Sequence, residues 1–264
     1  MSNHKTIIPE EVCSAGERMI LLLGLDGAPV GVRFIREADE TSDTALQLNQ
    51  HRYCQALMRA RRGEHVLLDG RGISCPAAAA AFGFHPLPEN LQNGKGLVGF
   101  GIVSNAAVGQ VMFAQMPRLE TGAVKAIELY PLNRSTAHPD VVVVEDQVEK
   151  LMWINLAYLN ASGGQRLTSS TAILQATCVD STILPFLEQR LNFSFGCYGC
   201  RDATDLAGSE TVIGFPACQL TEIMQHLEFL AQKAMPTSRA KKAWAALQKQ
   251  AGLELSNTTP GAQV

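Results

Sequence analysis

The same order of local signals runs through this chain twice, about 100 residues apart, and that order constrains the fold more than any single motif. Pro29-Val30-Gly31-Val32-Arg33-Phe34 reads as a short strand. Pro139-Asp140-Val141-Val142-Val143-Val144 reads as another, and its unbroken apolar run predicts deeper burial. Helical periodicity follows each strand. Tyr53, Ala56, Leu57 and Ala60 share one helix face, and so do Val148, Leu151, Met152 and Leu159. Each helix runs into a glycine turn, Arg62-Gly63 and Ser162-Gly163-Gly164. A hydroxyl residue and a cysteine then open a small or apolar segment, Ser74-Cys75-Pro76 and Thr177-Cys178-Val179. An aromatic–glycine pair comes next, Phe100-Gly101 and Phe195-Gly196. A β-like run closed by proline ends each series, Val111 to Pro117 and Thr211 to Pro216.

Interleaved strands and helices place the chain in the α/β or α+β class. The repeated order predicts two similar half-domains from an internal duplication, packed about a pseudo-twofold axis with a central cleft. The halves are 15–122 and 139–232. A connector over 123–138 holds Tyr130-Pro131-Leu132, and a helix with a flexible tail follows over 236–264. The weakly polar stretch Leu97 to Ala114 is broken by Gly99, Gly101 and Gly109, so it reads as two strands and a turn. Gly94-Lys95-Gly96-Leu97-Val98-Gly99 fits neither a dinucleotide nor a phosphate loop and reads as a mobile loop before a strand.

Composition removes several function classes. A net charge of -3 gives no electrostatic case for nucleic acid or an anionic membrane. The polar opening Met1-Ser2-Asn3-His4-Lys5 lacks the features of an export signal, and no apolar run suits a membrane span. The seven cysteines are odd in number and mostly far apart, unlike a secreted disulfide framework. A reducing cytoplasm is the expected compartment, where thiols stay available as ligands or nucleophiles.

The cysteines carry the chemistry. Cys197-Tyr198-Gly199-Cys200-Arg201 is a C-x-x-C pair with an adjacent cation. Such a pair can chelate a metal, ligate a cluster or close a redox disulfide. Gly196 and Gly199 predict a tight turn whose N–H groups reach sulfur, and Arg201 could offset thiolate charge or orient an anionic substrate. Cys75 stands before Pro76 and an alanine run, where a helix should begin and its positive end favours thiolate. Cys178 holds the matching place in the second half, although Pro185 disturbs the helix there. Cys54 lies in the first helix, bordering its apolar face. Cys13 and Cys218 have no partner spacing and read as structural. His51, His65, His85, His138 and His226 are scattered, without a metal-binding spacing.

The chain resembles a widespread bacterial and archaeal family known only as domain of unknown function 169. The resemblance rests on Pro29-Val30-Gly31-Val32, Cys54-Gln55, Ser74-Cys75, Pro131-Leu132, Pro139-Asp140-Val141-Val142, Cys178 and Gly196-Cys197-Tyr198-Gly199-Cys200-Arg201. It spans roughly residues 15 to 232. It implies only that these thiols belong together.

Three functions follow from these residues. The first is a thiolate-metal protein in which Cys54, Cys75, Cys178 and one or both of Cys197 and Cys200 hold a cofactor between the halves. An iron–sulfur cluster of the [4Fe-4S] type is the expectation, with zinc as the alternative metal. Cys200 and Arg201 are then the candidate catalytic residues, acting on a small-molecule substrate or serving a redox partner protein. The second is a metal-free thiol/disulfide enzyme using Cys197 and Cys200. The third is a small-ligand-binding module whose cysteines are packing.

Overall fold

A computed structural model describes residues 8–235. The expected helix and tail over 236–264, and the opening five residues, lie outside the described residues. In chain order the elements begin with α1 (Pro9–Leu23), β1 (Val30–Ile35), β2 (Leu46–Gln47), α2 (Tyr53–Arg61), β3 (Val66–Asp69) and α3 (Pro76–Ala81). Three short helices follow, α4 (Glu89–Gln92), α5 (Lys95–Gly99) and α6 (Ala106–Ala114), then β4 (Ala126–Pro131), β5 (Val141–Gln147) and α7 (Val148–Ala161). A π-helical segment over Ala176–Ile183 leads into α8 (Leu184–Glu188), β6 (Asn192–Ser194), α9 (Tyr198–Ala203), β7 (Glu210–Pro216) and α10 (Leu220–Lys233).

The strands form one seven-stranded sheet in the order β2-β3-β4-β1-β5-β7-β6. Only β2 and β3 run parallel; every other neighbour pair is antiparallel. The α/β class is therefore met by a mixed sheet. The unbroken valines of β5 find the two buried faces they require. Val141 and Val143 enter one core and Val142 and Val144 the other, all at most 1% exposed.

The two faces are built differently. Face one packs α2, α3 and the π segment on Val30, Val32, Phe34, Leu68 and Ile127. Face two packs α1, α7 and α10 on Val142, Val144, Ile213 and Phe215. Helix α1 buries Val12, Ala15, Gly16, Met19 and Leu23, a stripe at helical spacing, and ends at Gly24 in the left-handed conformation.

Several expectations are corrected here. Leu97 to Ala114 is not two strands but α5 and α6, and the Gly94 to Gly99 run is helix rather than loop. Asn105 caps α6 by accepting from the Val108 N–H at 3.2 Å, and Gly94 and Gly109 let the short helices touch backbone to backbone. The β-like run Val111 to Pro117 accordingly lies mostly in α6. Residues 123–138 are more than a connector, because they supply β4, the strand between β1 and β3. The two helices matched in the repeated order lie on opposite faces: α2 on face one, α7 on face two.

Candidate functional site

On face one, α2, α3, the π segment and α9 surround a cavity of about 400 Å³. Cys54, Cys75, Cys178, Cys197 and Cys200 all line it. Leu91, Leu97, Phe100, Ile102 and Phe113 close it from the α4–α6 side, so these three helices form an apolar cap over the thiols.

Local structure sets each sulfur. Cys54 is the second residue of α2 and is 7% exposed. Cys75 stands before the first turn of α3, where Pro76 takes the first helical position as the sequence predicts. Its sulfur makes no capping hydrogen bond, and α3 has only six residues. Cys178 sits in the π segment, entered through Ile173 and Gln175 at φ 59° and 56°, both left-handed without being glycine. Residues at sparsely populated backbone angles, and π turns, persist only where the surroundings hold them. Here Tyr53 Oη meets Thr182 Oγ1 at 2.8 Å, and Thr182 Oγ1 donates to the Thr177 carbonyl at 2.8 Å. Asp180 accepts from Thr171 at 2.5 Å and from Ser194 at 2.9 Å.

The C-x-x-C pair is not in a plain turn. Cys197 is the N-cap of α9, three residues after β6 ends, so the pair opens a helix behind a strand. The Cys197 sulfur accepts the Cys200 N–H at 3.1 Å. Cys197 and Cys200 sulfurs stand 2.9 Å apart, and Thr177 Oγ1 lies 2.9 Å from Cys200 Sγ.

The electrostatics differ from the sequence expectation. Arg201 does not face the cavity or pair with Asp202 or Asp205. It donates to the carbonyls of Phe195, Ala207 and Glu210, at 2.6 Å and 2.8 Å for the last two, and so braces its own loop. The cation at the mouth is Arg52, which donates to the Gly199 carbonyl at 3.1 Å and lies 4.0 Å from Asp202. Three of the thiols are pushed toward the protonated form. Contact with Cys200, then burial, pushes Cys197 up. Burial, then the charges of Cys75, Cys200 and Cys197, pushes Cys178 well up. For Cys200 the contact with Cys197 pulls down, but the Cys54 thiol and burial outweigh it, leaving the group at about 12.

The sulfurs can be tested against a metal. Two thiolates on one tetrahedral ion stand about 3.8 Å apart for metal–sulfur bonds of about 2.3 Å. Among the described residues no three cysteine sulfurs lie within 4.8 Å of one another, so they do not form a closed cage round a single ion. Among the described residues, the acidic trio at single-ion distances is Asp26, Asp146 and Glu210. Lys150 already pairs with both aspartates at 2.8 Å and Arg61 with Glu210. Cys13 donates to the Asn133 carbonyl at 2.9 Å, away from the cavity. Cys218 is exposed rather than packed in the core.

Sequence reasoning missed Arg52, Thr177 and the whole cap. Arg52 lies two residues before Cys54, and Thr177 adjoins Cys178, so proximity to a cysteine was the only signal. No helix among the described residues is long and apolar enough to cross a membrane. No curated protein matches the chain. No solved structure matches it. A family whose only description is "uncharacterised ArCR" matches residues 18–226, which include all five cavity cysteines, and the chain belongs to that family, domain of unknown function 169.

Proposed function

We propose that the protein carries a thiolate-bound metal centre, an iron–sulfur cluster of the [4Fe-4S] type, in the face-one cavity. One observation carries this reading: five cysteines from four separate elements line a single, mainly apolar cavity. Cys54, Cys75, Cys178 and the 197/200 pair would hold the cluster, which supplies electron transfer or a Lewis-acidic iron when bound. The cap would exclude water, and Arg52 would offset negative charge at the mouth. A redox or small-molecule-transforming role suits such a chamber, with a small substrate or a redox protein as partner and a reducing cytoplasm as its compartment.

A finer reading of the fold supports the shared cavity. We infer an internal duplication about the β1–β5 pair, in a register that revises the repeated order of the sequence. The strand order about that pair matches apart from β2, which extends one edge: β4 and β3 lie outside β1, and β7 and β6 lie outside β5. Val30 pairs with Pro131 and Val141 with Pro216, and each proline runs into a single 3₁₀ turn, Leu132–Arg134 and Ala217–Gln219. The Leu132 N–H donates to the Pro29 carbonyl at 2.7 Å, and the Ala217 N–H donates to the Asp140 carbonyl at 3.0 Å. In this register α2 corresponds to the π segment, α3 to α9, and α7 is an insertion on face two. Cys75 then corresponds to Cys197, both preceding six-residue helices after an outer strand, and Cys54 corresponds to Cys178.

A second reading, the metal-free dithiol enzyme, is favoured by the C-x-x-C at a helix start behind a strand. Against it, α9 is only six residues long, Cys197 and Cys200 are buried, and both thiols are pushed toward the protonated form. The triple variant Cys54→Ser/Cys75→Ser/Cys178→Ser separates the readings. The cluster reading expects loss of bound iron and colour. A variant that keeps a reversible Cys197–Cys200 disulfide and wild-type activity supports the second reading. Retained ligand binding after all five cysteines become serine supports a binding module.

A further inference from the structure

The geometry points to the face-one cavity as a binding site for a small apolar carboxylate, its tail under the cap and its carboxylate on Arg52. This rests on the small-molecule part of the reading above and requires no metal. The lining sets the tail. Leu91, Leu97, Ile102 and Phe113 line the cavity from the cap, and Ala77 and Ala78 from α3. Its charged residues are Arg52 and Asp202, whose side chains are 42% and 67% exposed, so both stand at the mouth. Inside, the thiols of Cys178, Cys197 and Cys200 are pushed toward the neutral form and add no charge. A hydroxyl or amide buried there would lose its water partners and gain only weak thiol partners. The enclosed part of the ligand is therefore apolar.

The mouth sets the head group. Both contacts of the Arg52 guanidinium fall on Nη1, the Gly199 carbonyl at 3.1 Å and Asp202 at 4.0 Å. Nη2 and Nε have no partner among the described residues, which leaves a planar fork for two oxygens, the geometry of a carboxylate. Asp202 is a weak competitor, because exposed ion pairs contribute little. It does limit the charge of the ligand. A phosphate monoester carries close to two negative charges, so one would face Asp202 uncompensated. The anchor is also well placed: Arg52 immediately precedes α2, and its bond to Gly199 ties it to α9 across the opening. Size is compatible too. The ten non-hydrogen atoms of octanoate, at roughly 30 Å³ each, need about 300 Å³, within the cavity's 400 Å³.

The test is calorimetric titration of the full-length protein, purified without oxygen, with octanoate, 1-octanol and octylamine. Octanoate is expected to bind at least about tenfold more tightly than 1-octanol, and octylamine more weakly than either. Arg52→Gln is expected to weaken octanoate about tenfold and leave 1-octanol unchanged. If that variant also loses 1-octanol, Arg52→Lys decides, since it keeps the charge: it must still prefer octanoate. Equal affinity for the acid and the alcohol in wild type overturns the inference. So does a preference that survives Arg52→Gln, tighter binding of the amine, or binding of none of the three. Iron and acid-labile sulfide counted in the same sample separate this from the cluster. Protein that carries iron but binds no octanoate overturns this inference alone, and iron-free protein that selects octanoate overturns the cluster alone.

Discussion

At the scale of single residues, the cavity depends on groups that are costly to bury alone. Glu145, on the same face of β5 as Val141 and Val143, is 5% exposed and leaves Oε2 without a partner. Burial pushes its carboxyl up to about 7, against the pull of Arg61 and Arg201 and with a push from Glu210. The phenol of Tyr53 is a further near neighbour. A carboxyl raised in the folded state binds its proton more tightly there than in the unfolded chain. Stability therefore falls as pH rises from the usual carboxylate range to about 7, and is level above that. Glu145→Gln removes this slope. Urea unfolding across the window should show the variant gaining on wild type by up to about 3 kcal/mol as pH rises. Parallel curves at all pH values would count against the buried carboxyl.

At the scale of elements, the π segment is the hinge of the account, because Cys178 rides on it. It packs against β7 so closely that a Cβ on Gly214 would stand 1.8 Å from the Ser181 carbonyl oxygen. Gly214→Ala must push the segment outward. The expected cost is about 1–3 kcal/mol, read as a lower thermal midpoint, together with reduced iron occupancy. An unchanged midpoint would mean the contact is looser than described. These elements also mark how far sequence reaches. The strands β1 and β5 and helices α2 and α7 were legible because their apolar periodicity is strong. The cap was not, because α6 carries apolar residues on nearly every side, with Val108 and Val111 exposed, so no period distinguishes helix from strand. Pro185 was read as a disturbance near Cys178; it falls instead in the first turn of α8, where proline is tolerated. The widened turn before it has no local sequence signature, and the helix position expected of the C-x-x-C was obscured by Gly196 and Gly199.

At the scale of the whole molecule, the two faces of one sheet divide the work. Face two is an apolar layer of three long helices. Face one carries the cysteine-lined cavity, and its ionic anchor is Arg61 of α2 against Glu210 of β7, side chains 9% and 7% exposed. Arg61→Ala leaves the buried Glu210 without its ion-pair partner and Glu145 with one of its two nearby cations gone. Loss of about 3 kcal/mol in urea unfolding is expected; a loss under about 0.5 kcal/mol would place the pair with ordinary surface bridges. The five thiols themselves were all named from the sequence, since their types and spacing are local. Their convergence depends on which elements share a face, and the repeat placed α2 and α7 together when they lie apart. The most direct measurement is iron and acid-labile sulfide in wild-type protein purified without oxygen, with its visible spectrum. The account predicts a brown protein with close to four irons and four sulfides per chain. A colourless protein with neither would contradict it.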